Sequence, residues 1–348
     1  MENQTCTSLG SFGEYTVAHE LAHQWWGDAI TCRDFHHIWL NEGFATFSEA
    51  LWAEATGGPA AYHSYMNSLA YYGAGTVYVP DLTDPFRIFD YNLTYRKGGW
   101  VLHMLRRVMG DAAFFTAIRK YLHANYYGTG VTADLETACE AASGRDLSKF
   151  FQQWVYGEGF PDYRVSSAWQ PAGGGGYDVA VQLRQAQPGQ LFSMPVDVRV
   201  STPAGDYDFV AQDSTVLQSF VIHVPDPPTA VTLDPDQWML RTVAATAIVA
   251  VAAPAVTGLE LSVPRPNPTR GASAIEFTTP RPGAVELDVL DTAGRRVARL
   301  QRGVVPAGDH RVQWNGRGDG GRLLGAGVYW VSLEFLGERR SRRVALIP

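Results

Sequence analysis

The feature that most limits the fold is a change of hydrophobic period near residue 160. Before it, apolar residues recur at three- and four-residue spacings in 15–27, 37–56, 96–109, 111–124 and 133–142, the signature of helices with one buried face. Breaks are marked by Gly57-Gly58-Pro59, Gly110-Asp111 and Gly128-Thr129-Gly130, and a short last helix is expected over Asp146–Tyr156. After it, "YDVAVQLRQ", "MPVDVRVST", "YDFVAQ" and "SFVIHV" alternate with period two and read as strands, with a glycine loop at 173–176. An Ala-rich stretch, "VAATAIVAVAAPAV", separates these from a second all-β run that includes "AVELDVLD", "DHRVQWNG" and "GVYWVSLEFL". A chain of 348 residues exceeds one compact core. The expectation is a multidomain α+β protein: a mainly helical domain at 1–165, a small β-sandwich at 166–242, a linker at 243–258 and a second small β-sandwich at 259–348.

Composition narrows the functions. A net charge of -7 gives no reason to expect nucleic acid as a partner. From Leu259 onward the balance reverses, with 14 Arg and no Lys against 9 acidic residues; this reads as readily as compositional bias as a binding surface. The three cysteines, Cys6, Cys32 and Cys139, are far apart and form no CxxC pair, so neither a disulfide framework nor a cysteine-based zinc site is expected. The Ala-rich stretch is shorter than the roughly 20 residues that span a bilayer and contains Pro254, so no transmembrane segment is expected. "MENQTCTSLG" has no basic segment and no apolar run, so no signal peptide is expected in it.

The chemistry is concentrated in "TVAHELAHQWWGDAIT" (16–31). On a helix His19 and His23 lie one above the other and can aim two imidazoles at one ion. Glu20, one step round, would sit beside such an ion, where it could act on a bound water. The same three residues also fit a solvated helix face, and the discriminating feature is a third ligand. Eighteen residues separate His23 from Glu42, which lies in "HIWLNEGFATFSEALW", a second amphipathic helix.

HExxH, that gap and "NEGFA" together resemble the gluzincin zinc aminopeptidases, the alanyl-aminopeptidase and leukotriene-hydrolase family. Met1-Glu2-Asn3 is similar to the end of that family's Gly-x-Met-Glu-Asn exopeptidase motif. "YRKGGWVLHMLR" from Tyr95 is similar to its Tyr-x-Lys-Gly segment, and "WVYGEGFPDY" to the end of its catalytic domain. The resemblance covers about residues 1–242 and implies a thermolysin-like catalytic domain followed by a small β domain. It further implies one Zn²⁺ held by His19, His23 and Glu42, Glu20 as the group that moves the water's proton, and Tyr95 as donor to the oxyanion. Glu2 and Asn3 would bind the substrate, Glu2 holding its free α-amino group, and Glu49, seven residues after Glu42, would orient a ligand histidine or stand exposed. The partner implied is a peptide with a free N-terminus. His36, His37, His63, His103 and His123 read as packing or surface residues, and Trp25 and Trp26 as core around the zinc helix.

Because the chain opens inside the exopeptidase motif, the resemblance implies a preceding β domain and the first strands of the catalytic sheet. The expectation is zinc binding with weak aminopeptidase activity unless the chain is extended upstream. A non-catalytic secreted or surface module that keeps a zinc-stabilised core is the alternative, and an endopeptidase a third reading that Glu2 argues against. In the tail, "NP", "DTAGRRV", "WNGRGDGG" and "GVYWVSLE" resemble the Ig-like module of flagellar-hook capping proteins and of bacterial C-terminal sorting domains. That resemblance implies bacterial secretion machinery or cell-surface attachment through the C-terminal domain, hence a secreted or surface location.

Overall fold

The computed structural model describes residues 4–172, 175–250 and 258–347. Glu2 and Asn3 lie outside them. The first part holds helices α1 (Glu14–Ala22), α2 (Trp39–Ser68), α3 (Pro85–Ile88), α4 (Gly98–Met109), α5 (Asp111–Ala124), α6 (Thr132–Ser143) and α7 (Ser148–Phe151). Two three-residue strands, β1 (Ile30–Cys32) and β2 (Gly128–Gly130), pair in parallel among them. The expected break at Gly57-Gly58-Pro59 is a bend rather than an end. Gly58 takes φ 78, and the helix resumes to Ser68. Glycine enters that region without a Cβ clash, and proline suits the first turn of the resumed helix because it needs no N–H partner there.

The next part is a sandwich. One sheet orders β10 (Val249–Ala250), β3 (Asp162–Pro171), β4 (Tyr177–Gln185) and β7 (Leu217–Val224), with β9 (Thr242–Ala245) also on β3. The other orders β6 (Gly205–Asp213), β5 (Met194–Thr202) and β8 (Ala230–Leu233). Within the Ala-rich segment, β9 and β10 thus pair in parallel with β3, while 251–257 lie outside the described residues. The last part packs β11 (Glu260–Leu261), β12 (Ser273–Thr279) and β15 (Gly308–Trp314) against β14 (Arg296–Val305), β13 (Gly283–Leu290), β16 (Gly327–Phe335) and β17 (Glu338–Leu346), all antiparallel neighbours. Their inward positions alternate, as Val285, Leu287 and Val289 do on β13, which is why this region is legible from period two alone.

Among the described residues two large apolar cores result, beside a small cluster of Cys32, Ile38, Val79 and Ile88. One runs without interruption from Ile30 through Trp39, Trp100 and Trp154 to Val179, Val196 and Leu240, so the helices and the first sandwich share it. The other, from Leu259 to Val344, belongs to the last two sheets. His103 on α4 joins helices to sandwich. Its Nε2 donates to the Gln237 carbonyl at 3.1 Å, its Nδ1 accepts from the Tyr62 hydroxyl at 2.7 Å, and its ring stacks on Trp238 at 4.7 Å. Burial holds this imidazole neutral, its pKa lowered to about 3. Arg107 on α4 and Asp197 on β5 form an ion pair across the same junction. No helix among the described residues is long and apolar enough to cross a membrane.

Candidate metal centre

His19 lies in the last turn of α1 and His23 caps its C-terminus. Glu42 is in the first turn of α2. Among the described residues one group of three donors converges, and it is His19, His23 and Glu42, whose ligand atoms all lie within 4.8 Å of one another. The Nε2 atoms of His19 and His23 stand 3.3 and 3.5 Å from the same carboxylate oxygen, Glu42 Oε2. Zinc bonds of about 2.0–2.1 Å in a tetrahedron separate neighbouring ligand atoms by about 3.3 Å, so the spacing fits one ion.

The far side of each ring explains the orientation. His19 Nδ1 donates to Glu49 Oε1 at 2.6 Å and His23 Nδ1 donates to the Trp26 carbonyl at 2.9 Å. Both acceptors lack a proton to give, so each ring keeps its hydrogen on Nδ1 and turns the Nε2 lone pair toward Glu42. Two lone pairs facing a buried carboxylate repel unless a proton or a metal ion lies between them. Without a metal ion, a proton takes that place at His19. Burial pulls the His19 imidazolium down, but hydrogen bonds to Glu42 and Glu49 outweigh it and the pKa is pushed up to about 9. Burial raises the Glu42 carboxyl, and the two histidines overcome that, holding it at about 2. The pocket is built for positive charge.

Glu20 follows His19 on α1 and is half-buried. Tyr95 reaches the site from a wide turn, Tyr91–Lys97, whose start is capped by Asp90 accepting from the Asn92 and Leu93 amides at 2.9 and 2.8 Å. Its ring lies parallel to that of His19, with centroids 6.0 Å apart. The residues after it act as fasteners. Arg96 donates to the Ser68, Leu69 and Ala70 carbonyls that end α2, Lys97 Nζ donates to the Gly75 carbonyl at 2.7 Å, and Gly98 lies backbone to backbone against Gly43. A Cβ on Gly43 would stand 3.0 Å from the Gly98 carbonyl carbon. The residue beside Glu42 and the residue three after Tyr95 therefore form a single helix crossing, close enough that a Cβ at either place would push the backbones apart.

Several participants carried no sequence signal. A cleft of about 370 Å³ beside His19 is lined by Tyr15, Thr16, Thr46, Glu49, Leu69 and the tyrosines 65, 91 and 95. Tyr65 donates to Glu49 Oε2, and burial together with that carboxylate raises its phenol, keeping it a donor. Glu49 is thus held on both oxygens rather than exposed. The Trp expectation divides: Trp26 stacks on Phe44 at 4.2 Å, but Trp25 is 47% exposed, because α1 ends at Ala22 and the following turn points it outward. His37 is buried against Thr132, and His36 donates to the Val79 carbonyl.

Known proteins resemble both ends of the chain. Residues 3–154 match the Peptidase family M1 domain and residues 267–337 the FlgD Ig-like domain. An aminopeptidase N of Lactococcus lactis subsp. lactis is 35% identical over 161 residues, covering 42% of this chain and 18% of the relative. The tricorn protease-interacting factor F2 of Thermoplasma volcanium is 33% identical over 167 residues, covering 43% and 21%. The chain spans about a fifth of the length of these relatives. A crystal structure of Legionella pneumophila aminopeptidase A in complex with aspartic acid shares the fold at a TM-score of 0.58 and 19% identity, over 66% of this chain and 26% of that one. The chain therefore carries a Peptidase family M1 domain, aminopeptidase N-like, in its N-terminal region and a FlgD Ig-like domain in its C-terminal region.

Proposed function

We propose that the N-terminal unit is a zinc-dependent aminopeptidase that hydrolyses the first peptide bond of peptides with a free N-terminus. The observation that carries this is the facing of two Nε2 atoms and one carboxylate oxygen at 3.3 and 3.5 Å, with both Nδ1 atoms already committed to acceptors. His19, His23 and Glu42 hold the zinc, whose positive charge supplies Lewis acidity and makes water a nucleophile at neutral pH. Glu20 accepts the proton of the attacking water and delivers it to the leaving amine. Tyr95, fixed by the crossing at Gly43 and Gly98, donates to the oxygen on which negative charge develops. Glu2, with Asn3, binds the substrate's α-amino group, which limits cleavage to one residue from the end. The FlgD Ig-like unit, set on a separate core, serves export or surface attachment in a bacterium. The units of this reading are 1–165, 166–242 and 259–348.

The test is release of an amino acid from an N-terminal anilide. Chelator should abolish it and zinc restore it, and an N-acetylated substrate should not react. Glu20→Gln should lower kcat by roughly 10²–10⁴-fold at unchanged zinc content. A zinc-loaded chain with no turnover on any free-amine substrate would sink the reading, as would equal rates on the acetylated one.

A further inference from the structure

The geometry points to Tyr65 as a positioning residue for the metal centre, acting through Glu49; this rests on the reading that His19, His23 and Glu42 hold zinc. Glu49 and Tyr65 both belong to α2. In a straight helix their sixteen-residue separation would be about 24 Å, beyond any contact. The bend at Gly58 folds the second half of α2 back, and the Tyr65 hydroxyl donates to Glu49 Oε2 while Glu49 Oε1 accepts from His19 Nδ1. Tyr65 is itself held by Tyr15, whose ring stacks on it at 4.3 Å. Tyr15 lies on α1, one turn before His19. Four side chains from two helices thus close a ring: Tyr15, Tyr65, Glu49, His19.

That closure has a physical consequence. A carboxylate tied at one oxygen can swing about its last torsion and exchange its partner for water. Tied at both oxygens, it keeps the hydrogen bond that fixes the His19 tautomer and ring plane, and partners of this kind govern metal affinity. The hydrogen-bonded path from Tyr65 to His19 runs through Glu49, so its effect should appear through Glu49.

The experiment is a double-mutant cycle read by zinc affinity, measured by competition with a chromophoric chelator on the full chain without substrate. Glu49→Gln should weaken zinc binding by roughly 10–100-fold. Tyr65→Phe, which keeps the ring and its stacking on Tyr15, should weaken it by about three- to tenfold, below the range for direct partners. In the Glu49→Gln background the same change should cost less than about twofold, because its route to the metal is already cut. Unaltered affinity in Tyr65→Phe overturns the inference. So does an equal loss in both backgrounds, which would mark a packing role. If the unaltered chain bound no zinc, the metal reading itself would fall, and that result is distinct from the other two.

Discussion

Around the first core the chain buries His23, Glu42, Lys97, His103, Arg106 and Asp234, whereas around the second the buried polar groups among the described residues are Thr269, Ser273, Thr279 and Ser332, none of them ionisable. Both regions contain stacked sheets, so the contrast does not come from sheet architecture. Burying a charge is unfavourable unless a partner compensates it. In the first region the partners are visible. Arg106 lies between Glu54 and Asp111, Asp234 meets Arg241 and two backbone amides, and His103 stays neutral between a hydroxyl and a carbonyl. At His19, His23 and Glu42 the carboxylate faces two imidazole nitrogens, and a proton on His19 or a metal ion would compensate it. The second region buries no charge among the described residues, and its ion pairs, such as Arg302 with Glu286 and Arg339 with Glu334, lie at its surface.

The largest expected effect separates the two cores. Trp314 is 1% exposed at the heart of the second core, and Trp314→Ala should cost about 3–5 kcal/mol there. Calorimetry should show the C-terminal transition lowered while zinc content and the other transition hold. Loss of both transitions together would mean that the cores are not independent.

Next comes a pH effect confined to the first core. Burial lowers the Lys97 pKa to about 8, below its unfolded value near 10.4. The unfolded chain therefore binds more protons between these values, and stability rises with pH across that window. Below about pH 8 the buried ammonium is a cost, and by about pH 10.5 the cost has gone, a change on the order of 3 kcal/mol. Thermal unfolding at stepped pH should show the unaltered chain gaining on Lys97→Met over that window. A pH-independent difference between them would remove the buried-charge explanation.

The smallest effect concerns the helix crossing. Gly43→Ala places a methyl against the Gly98 backbone and should cost about 1–3 kcal/mol, lowering the first transition only. Because the strain falls between Glu42 and the Tyr95 turn, turnover should drop more than zinc affinity. The reverse order would place the strain on the ligand side.

Legibility differed in the same way. The second sandwich was readable strand by strand, since period two needs only neighbouring residues. In the first region the approach of His19 to His23 was readable because helical spacing places them together, and the candidate roles of Glu42 and Tyr95 through resemblance of their surroundings. Tyr65 was not. Its distance along α2 from Glu49 argues against contact until the bend at Gly58 is known, and a Gly-Gly-Pro run signals a break without giving its angle. Nor was the shared core, because strands β3–β8 alternate as an independent sandwich would, and only the packing of His103 and Trp238 shows where their inner face goes.

By itself the sequence determined most segments that coil or extend and the pairing of His19 with His23, because these depend on spacings of four residues or fewer along one element; Glu42, on the next helix, was legible only through the resemblance of its surroundings. The tertiary structure alone decided which nitrogen of each histidine faces Glu42, what holds Glu49 in place, and how Gly43 meets Gly98. Those depend on backbones distant in sequence approaching to contact, and local spacing carries no information about that approach.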